Sequence, residues 1–320
     1  MRYIALIILL FGYIIPVNAT VSEKAKSVEI LRISCEKKKA QACLDYTSAL
    51  YMGTYDRVNY PLARKYAKIT CDLKEAEGCN FLAAMQEKGQ GGAQNMDGAI
   101  SNFDTACNMG NGGACNNLAQ IIYDGRLTEQ RKLDFSLDTA RALYAKGCDK
   151  NIAISCNNYA VMLLQGQGGA LKQVEARAFF DVACTAGNLD ACANYGYMQL
   201  SGIGGPEDFA KASVLLQESC EKGHLLACDN WAYMMMNGLG VEKNLKSAET
   251  IFAKGCAANQ GNSCYNLGGF YYYGYDGLYV IDNVSAYNYY KKRCDLGNPS
   301  ACGKLAAMMI VGKAPIAKDK

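Results

Sequence analysis

The chain has 320 residues, half of them hydrophobic, with 33 lysines and arginines against 30 aspartates and glutamates, a formal net charge of +3. Nucleic-acid binding wants a basic stripe or patch, and the densest basic run is only Glu36-Lys37-Lys38-Lys39, so that class is set aside. Sixteen cysteines stand beside a single histidine, His224, with no C-x-x-C and no C-x-x-C-H, so the sequence offers no zinc-type thiolate pair, no haem attachment site and no cofactor motif.

At the N-terminus, Arg2 is the only charge in the first 19 residues, followed by an apolar run over residues 4–15 and then Pro16-Val17-Asn18-Ala19. A charged start, a short apolar stretch and a V-x-A ending mark a secretory signal peptide over residues 1–19, with cleavage expected after Ala19. The competing reading is an uncleaved membrane helix, for which the run is short. No later segment is long and apolar enough to span a bilayer. The expected location is therefore secreted or periplasmic, without membrane association after cleavage. Export also accounts for the cysteines, because disulfides persist in oxidising compartments and are rare in the cytosol.

The cysteines fall into eight C-x7-C pairs: Cys35 and Cys43, Cys71 and Cys79, Cys107 and Cys115, Cys148 and Cys156, Cys184 and Cys192, Cys220 and Cys228, Cys256 and Cys264, and Cys294 and Cys302. Successive pairs are 36, 36, 41, 36, 36, 36 and 38 residues apart. A fixed period of this size marks a repeat solenoid, and an even count at constant spacing marks one disulfide per repeat.

Ten residues after every second cysteine stands a glycine: Gly53, Gly89, Gly125, Gly166, Gly202, Gly238, Gly274 and Gly312. Four residues after it the side chain is small (Ala83, Ala119, Ala160, Gly196, Ala232, Gly268, Ala306), with Thr47 the exception. This predicts a helix A of about ten residues, ended by a positive-φ glycine, whose small residue lets a neighbour approach closely. Eight residues before the first cysteine stands alanine in seven repeats, and four before it usually an aromatic (Phe103, Tyr144, Phe180, Phe252, Tyr290) or Leu216. Spacings of four place these on one face of a helix B that runs into the cysteine. Eight helical positions rise about 12 Å, but a disulfide needs Cα atoms within about 7 Å. The chain must therefore reverse between the two cysteines of each pair.

Residues 22–35 read as a lone capping helix B, residues 126–137 as a loop lengthened by five, residues near Gly274-Tyr275-Asp276-Gly277 as a second insertion, and residues 302–311 as a closing helix A. The expected organisation is all-α: one elongated α/α superhelical solenoid over residues 20–312, about seven helix pairs plus caps, then a mobile tail at 313–320.

The loop Asn237-Gly238-Leu239-Gly240-Val241-Glu242-Lys243-Asn244-Leu245-Lys246-Ser247-Ala248 resembles the Y-x-G-x-G-V-x-x-D-x-x-K-A signature of Sel-one-like repeats, relatives of tetratricopeptide repeats. With C-x7-C at each junction, the chain resembles the Helicobacter cysteine-rich protein (Hcp) family over residues 22–312. The first repeat lacks the second loop glycine, and the repeats over 115–148 and 264–294 have reshaped loops. The resemblance implies a secreted right-handed α-solenoid with a concave groove. It also implies interaction with host proteins, or penicillin binding with weak β-lactamase activity directed at a β-lactam or a peptidoglycan-related peptide.

The residues themselves assemble no catalytic set. S-x-x-K occurs at Ser34 with Lys37 and at Ser219 with Lys222, but S-D-N, K-T-G and G-x-S-x-G are absent. His224 reads as a solvated turn residue, and pairing leaves no cysteine as a nucleophile.

One polar signal recurs two residues after the second cysteine: Asn117, Asn158, Asn194, Asn230 and Asn266. A ladder of amides, each donor and acceptor, could grip an extended peptide backbone along helices A. The other reading is that each asparagine caps helix A or bonds the adjacent layer. Tyr159, Tyr195 and Trp231, one residue further on, read as inter-helix core or groove lining, and the Tyr271-Tyr272-Tyr273 run with Tyr275 as exposed aromatic surface. The expected function is a scaffold holding a peptide or protein partner in its groove.

Overall fold

The computed structural model describes residues 21–54, 57–132, 135–259, 261–275 and 280–314. The expected signal peptide, residues 276–279 of the second insertion and residues 315–320 of the expected tail lie outside the described residues. Among the described residues there are sixteen α-helices and no strands. Those of helix A type are α2 (Ala40–Met52), α4 (Ala76–Lys88), α6 (Gly112–Tyr123), α8 (Ala153–Gln165), α10 (Leu189–Ser201), α12 (Leu225–Asn237), α14 (Gly261–Tyr273) and α16 (Pro299–Ile310). Those of helix B type are α1 (Val21–Glu36), α3 (Tyr60–Asp72), α5 (Met96–Asn108), α7 (Leu137–Asp149), α9 (Gln173–Thr185), α11 (Phe209–Glu221), α13 (Leu245–Ala257) and α15 (Asn283–Asp295).

Local chemistry sets the boundaries. Most helices B begin at an asparagine or aspartate twelve residues before the first cysteine. Asn59, Asn95, Asp208, Asn244 and Asp282 each accept a backbone N–H three residues on, at 2.9–3.1 Å, which satisfies one orphan donor of the first turn. Helices A end as the sequence predicts: the glycine ten residues after each second cysteine has φ between 58° and 69° in all eight repeats.

The starts of helices A differ from the expectation. Each helix begins three residues before its second cysteine and runs for 12 or 13 residues, so the closing helix starts at Pro299 rather than 302. Cys43, Cys79, Cys115, Cys156, Cys192, Cys228, Cys264 and Cys302 therefore stand inside the first turn of their helices, not at the boundary. The reversal takes only three residues, and its middle one is left-handed in every repeat: Lys38, Lys74, Gly110, Asn151, Gly187, Gly223, Asn259 and Gly297, with φ from 60° to 94°.

A single left-handed residue turns the chain sharply enough to close a bridge at each junction. Disulfides join Cys35 to Cys43, Cys71 to Cys79, Cys107 to Cys115, Cys184 to Cys192, Cys220 to Cys228, Cys256 to Cys264, and Cys294 to Cys302. Their Cα atoms lie between 4.4 and 4.8 Å apart. Cys148 and Cys156 are disulfide-bonded as well, and no described cysteine is free.

The chain divides into two compact units, Met1–Ser155 and Cys156–Lys320. In the first, α1 to α7 pack consecutively in sequence, with α2 also touching α4. In the second, α9 to α16 do the same, and α10, α12 and α14 form a row of helices A. The cores follow the predicted faces. The alanine eight residues before the first cysteine is completely buried from Ala63 to Ala286, and Phe103, Tyr144, Phe180, Leu216, Phe252 and Tyr290 are buried with it. Gly196 and Gly268 show why the small position exists. A Cβ on Gly196 would come within 2.8 Å of Leu216, and one on Gly268 within 2.9 Å of the Tyr290 ring.

Candidate functional site

None of the five asparagines of the predicted ladder caps a helix. Each lies six residues past the N-cap position of its helix A. The caps with side-chain bonds are Asn111, Asn188, His224 and Asn298, which accept the backbone N–H of the residue three further on at 2.7–3.1 Å. The ladder residues are half-buried and divide into two groups. Three join amide networks: Asn117 Nδ2 donates to Asn80 Oδ1 and Asn194 Nδ2 to Asn157 Oδ1, each at 3.3 Å, while Asn157 Nδ2 donates to Asn158 Oδ1 at 3.3 Å. Asn230 and Asn266 make no side-chain hydrogen bond to any described residue.

Those two lie in an open groove of about 480 Å³ on the second compact unit, formed along α10, α12 and α14. Tyr197, Tyr233 and Tyr265 line it beside Glu207 and Asp229. Tyr197 and Tyr233 stand three residues beyond Asn194 and Asn230, on the same helical face, and are exposed. The aromatics one residue after each asparagine, read from the sequence as inter-helix core or groove lining, are not among the groove's lining residues. The aromatics there are core: Tyr195 and Trp231 pack between helices, and Tyr159 meets Phe179 edge-on at 4.8 Å. Of the tyrosine run, Tyr273 is exposed, while Tyr271 stacks on Tyr289 and Tyr272 packs near Tyr290.

Asp229 was not singled out by the sequence, yet it is the most unusual group in the groove. Only 3% of it is exposed. Ser263 Oγ–H donates to Oδ1, and Oδ2 is buried with no hydrogen-bond partner among the described residues. Burial pushes its carboxyl up to about 6 despite the Ser263 hydrogen bonds, which lower it.

The hydrolase fragments are placed away from any such constellation. Ser219 is 1% exposed at the end of α11, and its Oγ has no hydrogen-bond partner among the described residues. A nucleophilic serine needs a base within hydrogen-bond reach, and Lys222 stands exposed at the C-cap. Ser34 is half-buried on α1 with Lys37 exposed beyond it. His224 is not the solvated side chain expected. Its Nδ1 accepts Ala227 N–H at 3.1 Å, which leaves the proton on Nε2, 3.2 Å from Asp190 Oδ1. No cluster of potential metal ligands occurs among the described residues, and no helix among them is long and apolar enough to cross a membrane.

Comparison with known proteins bears on the whole arrangement. The Sel1 repeat pattern matches residues 76–111, 113–152, 153–188, 189–224, 225–260 and 261–298. Cytochrome c oxidase assembly factor 7 of Xenopus tropicalis is 33% identical over 121 residues, 36% of this chain and 51% of that protein. Cytochrome c oxidase assembly factor 7A of Xenopus laevis is 34% identical over the same length. The chain thus spans about half the length of these curated relatives. Among solved structures, a protective antigen of uropathogenic Escherichia coli strains with an SLR fold superposes with a TM-score of 0.75 at 18% identity, over 92% of this chain and 68% of that one. A Sel1 repeat protein from Oxalobacter formigenes gives 0.59 at 18% identity, over 91% and 83%. At these identities the structural likeness is one of fold.

Proposed function

This chain belongs to the Sel1 repeat family, and we propose that it is an exported scaffold that binds an extended segment of a protein partner in the groove over α10, α12 and α14. One observation carries the reading. Two half-buried amides, Asn230 and Asn266, face a groove with no partner among the described residues, between exposed tyrosines. Tyrosine offers large contact area at low conformational cost, and free amides match the alternating donors and acceptors of an extended backbone. The disulfides call for an oxidising compartment, and cleavage after Ala19 would deliver the chain there.

Two experiments test this. Pools of random heptapeptides should be retained by the immobilised protein and released when Asn230 and Asn266 are both changed to alanine, with thermal stability within about 1 kcal/mol of the parent. Unchanged retention in the double variant defeats the groove reading. N-terminal sequencing of exported protein should start at Thr20, and a start at Met1 contradicts cleavage. Nothing in the site favours β-lactam hydrolysis over this reading, since Ser219 is buried.

A further inference from the structure

The groove holds a charge that the folded protein does not neutralise. In three other repeats the residue directly after the second cysteine is an amide, Asn80, Asn116 or Asn157; here it is Asp229. The carboxylate sits between α12, α13 and α14. Its Oδ1 accepts from Ser263, and the close approach of α13 depends on Gly255, where a Cβ would collide with Ser263 and stand 3.3 Å from Asp229 Oδ1. No cation is among its interacting groups, and Oδ2 is left without a partner. A buried carboxylate lacking a counter-charge is unfavourable, whereas an amide in its place carries no such penalty. Packing alone therefore does not account for aspartate at this position.

The surroundings point to what would complete it. Glu207 and Asp229 are the charged residues lining the groove, and no lysine, arginine or histidine joins them. Tyr197, Tyr233 and Tyr265 stand around the same space, and aromatic faces attract cations. We infer that the groove selects an extended peptide bearing a lysine or arginine side chain, with Asp229 as the counter-charge and the tyrosines as its walls. Asn230 and Asn266 then hold the peptide backbone while the basic side chain enters toward Oδ2. At pH 7.5 the carboxyl of Asp229 is ionised, because its titration lies near 6. This inference rests on the scaffold reading and adds the chemistry of the ligand.

The test uses full-length mature protein, disulfides intact, and three pools of random heptapeptides, acetylated and amidated at their ends. The central residue is fixed as lysine, arginine or norleucine, the last keeping the aliphatic stem without the charge. At pH 7.5 the two basic pools should be retained at least about tenfold better than the norleucine pool, as for a buried charge gaining its partner. Asp229→Asn should bring all three to the norleucine level. Equal retention of the three pools on the unaltered protein overturns the inference without need of any variant. So does a charge preference that survives in Asp229→Asn. If the pools are retained equally but lost from the double variant of Asn230 and Asn266, the groove reading stands and the charge selectivity falls. Retention of no pool removes both.

Discussion

Lys38, Lys74, Asn151 and Asn259 hold φ of 60–65° in turns where the other repeats carry glycine. A side chain in this region is strained by roughly 1 kcal/mol or more, and the space around the equivalent Gly110, Gly187, Gly223 and Gly297 is open. Lys74→Gly should therefore raise stability by about 0.5–1 kcal/mol, read from the urea midpoint; a lower midpoint contradicts the strain argument. His224 makes the opposite prediction. Loss of its cap in His224→Ala should lower stability by about 1 kcal/mol, and His224→Asn should restore it. For Asp229 the sign follows from titration. Its folded value, about 6, lies above the ordinary 3.8, so folding takes up protons between the two. The associated stabilisation is complete below about 3.8 and is lost as pH rises through about 6. Asp229→Asn should thus be more stable than the parent at pH 7.5, on the order of 3 kcal/mol for a shift from 3.8 to about 6, with the advantage shrinking toward pH 5. A difference that stays constant across that range rules out a buried, titrating Asp229.

The helices show what was legible in the sequence and why the rest was not. The C-termini of helices A were readable because glycine, which takes a positive φ without strain, stands there in every repeat, and the buried faces of helices B because alanine and an aromatic recur at spacings of four. The starts of helices A were not readable. The N-cap position holds Lys39, Glu75, Asn111, Asn188, His224 and Asn298 in different repeats, and the invariant cysteine three residues inside drew the boundary to itself. The groove was half legible. Asparagine recurs at its position in five repeats, but what surrounds it is decided one residue earlier, where Asn80, Asn116, Asn157 and Asp229 alternate with Leu44, Ala193 and Tyr265. Close helix approach gives a direct test. Gly268→Ala should destabilise by about 1–3 kcal/mol through collision with the buried Tyr290 ring. No loss in thermal stability means that α14 and α15 can part without penalty.

For the molecule as a whole, stability is distributed repeat by repeat, because each helix packs on its chain neighbours within its compact unit. Changing both Cys256 and Cys264 to serine should cost about 2–3 kcal/mol in the chain-entropy description and sensitise that region to proteolysis under conditions where the parent resists. Every disulfide with described geometry closes the same short interval, eight residues. Sixteen cysteines can pair in about two million ways, yet in each of the seven bridges with described geometry the partner is the next thiol along the chain. Oxidation can thus keep pace with emergence of the polypeptide, each bridge closing before the following pair arrives. Native connectivity should therefore form on air oxidation of the reduced, unfolded chain without an isomerase, and a slow phase that an added isomerase accelerates would contradict it.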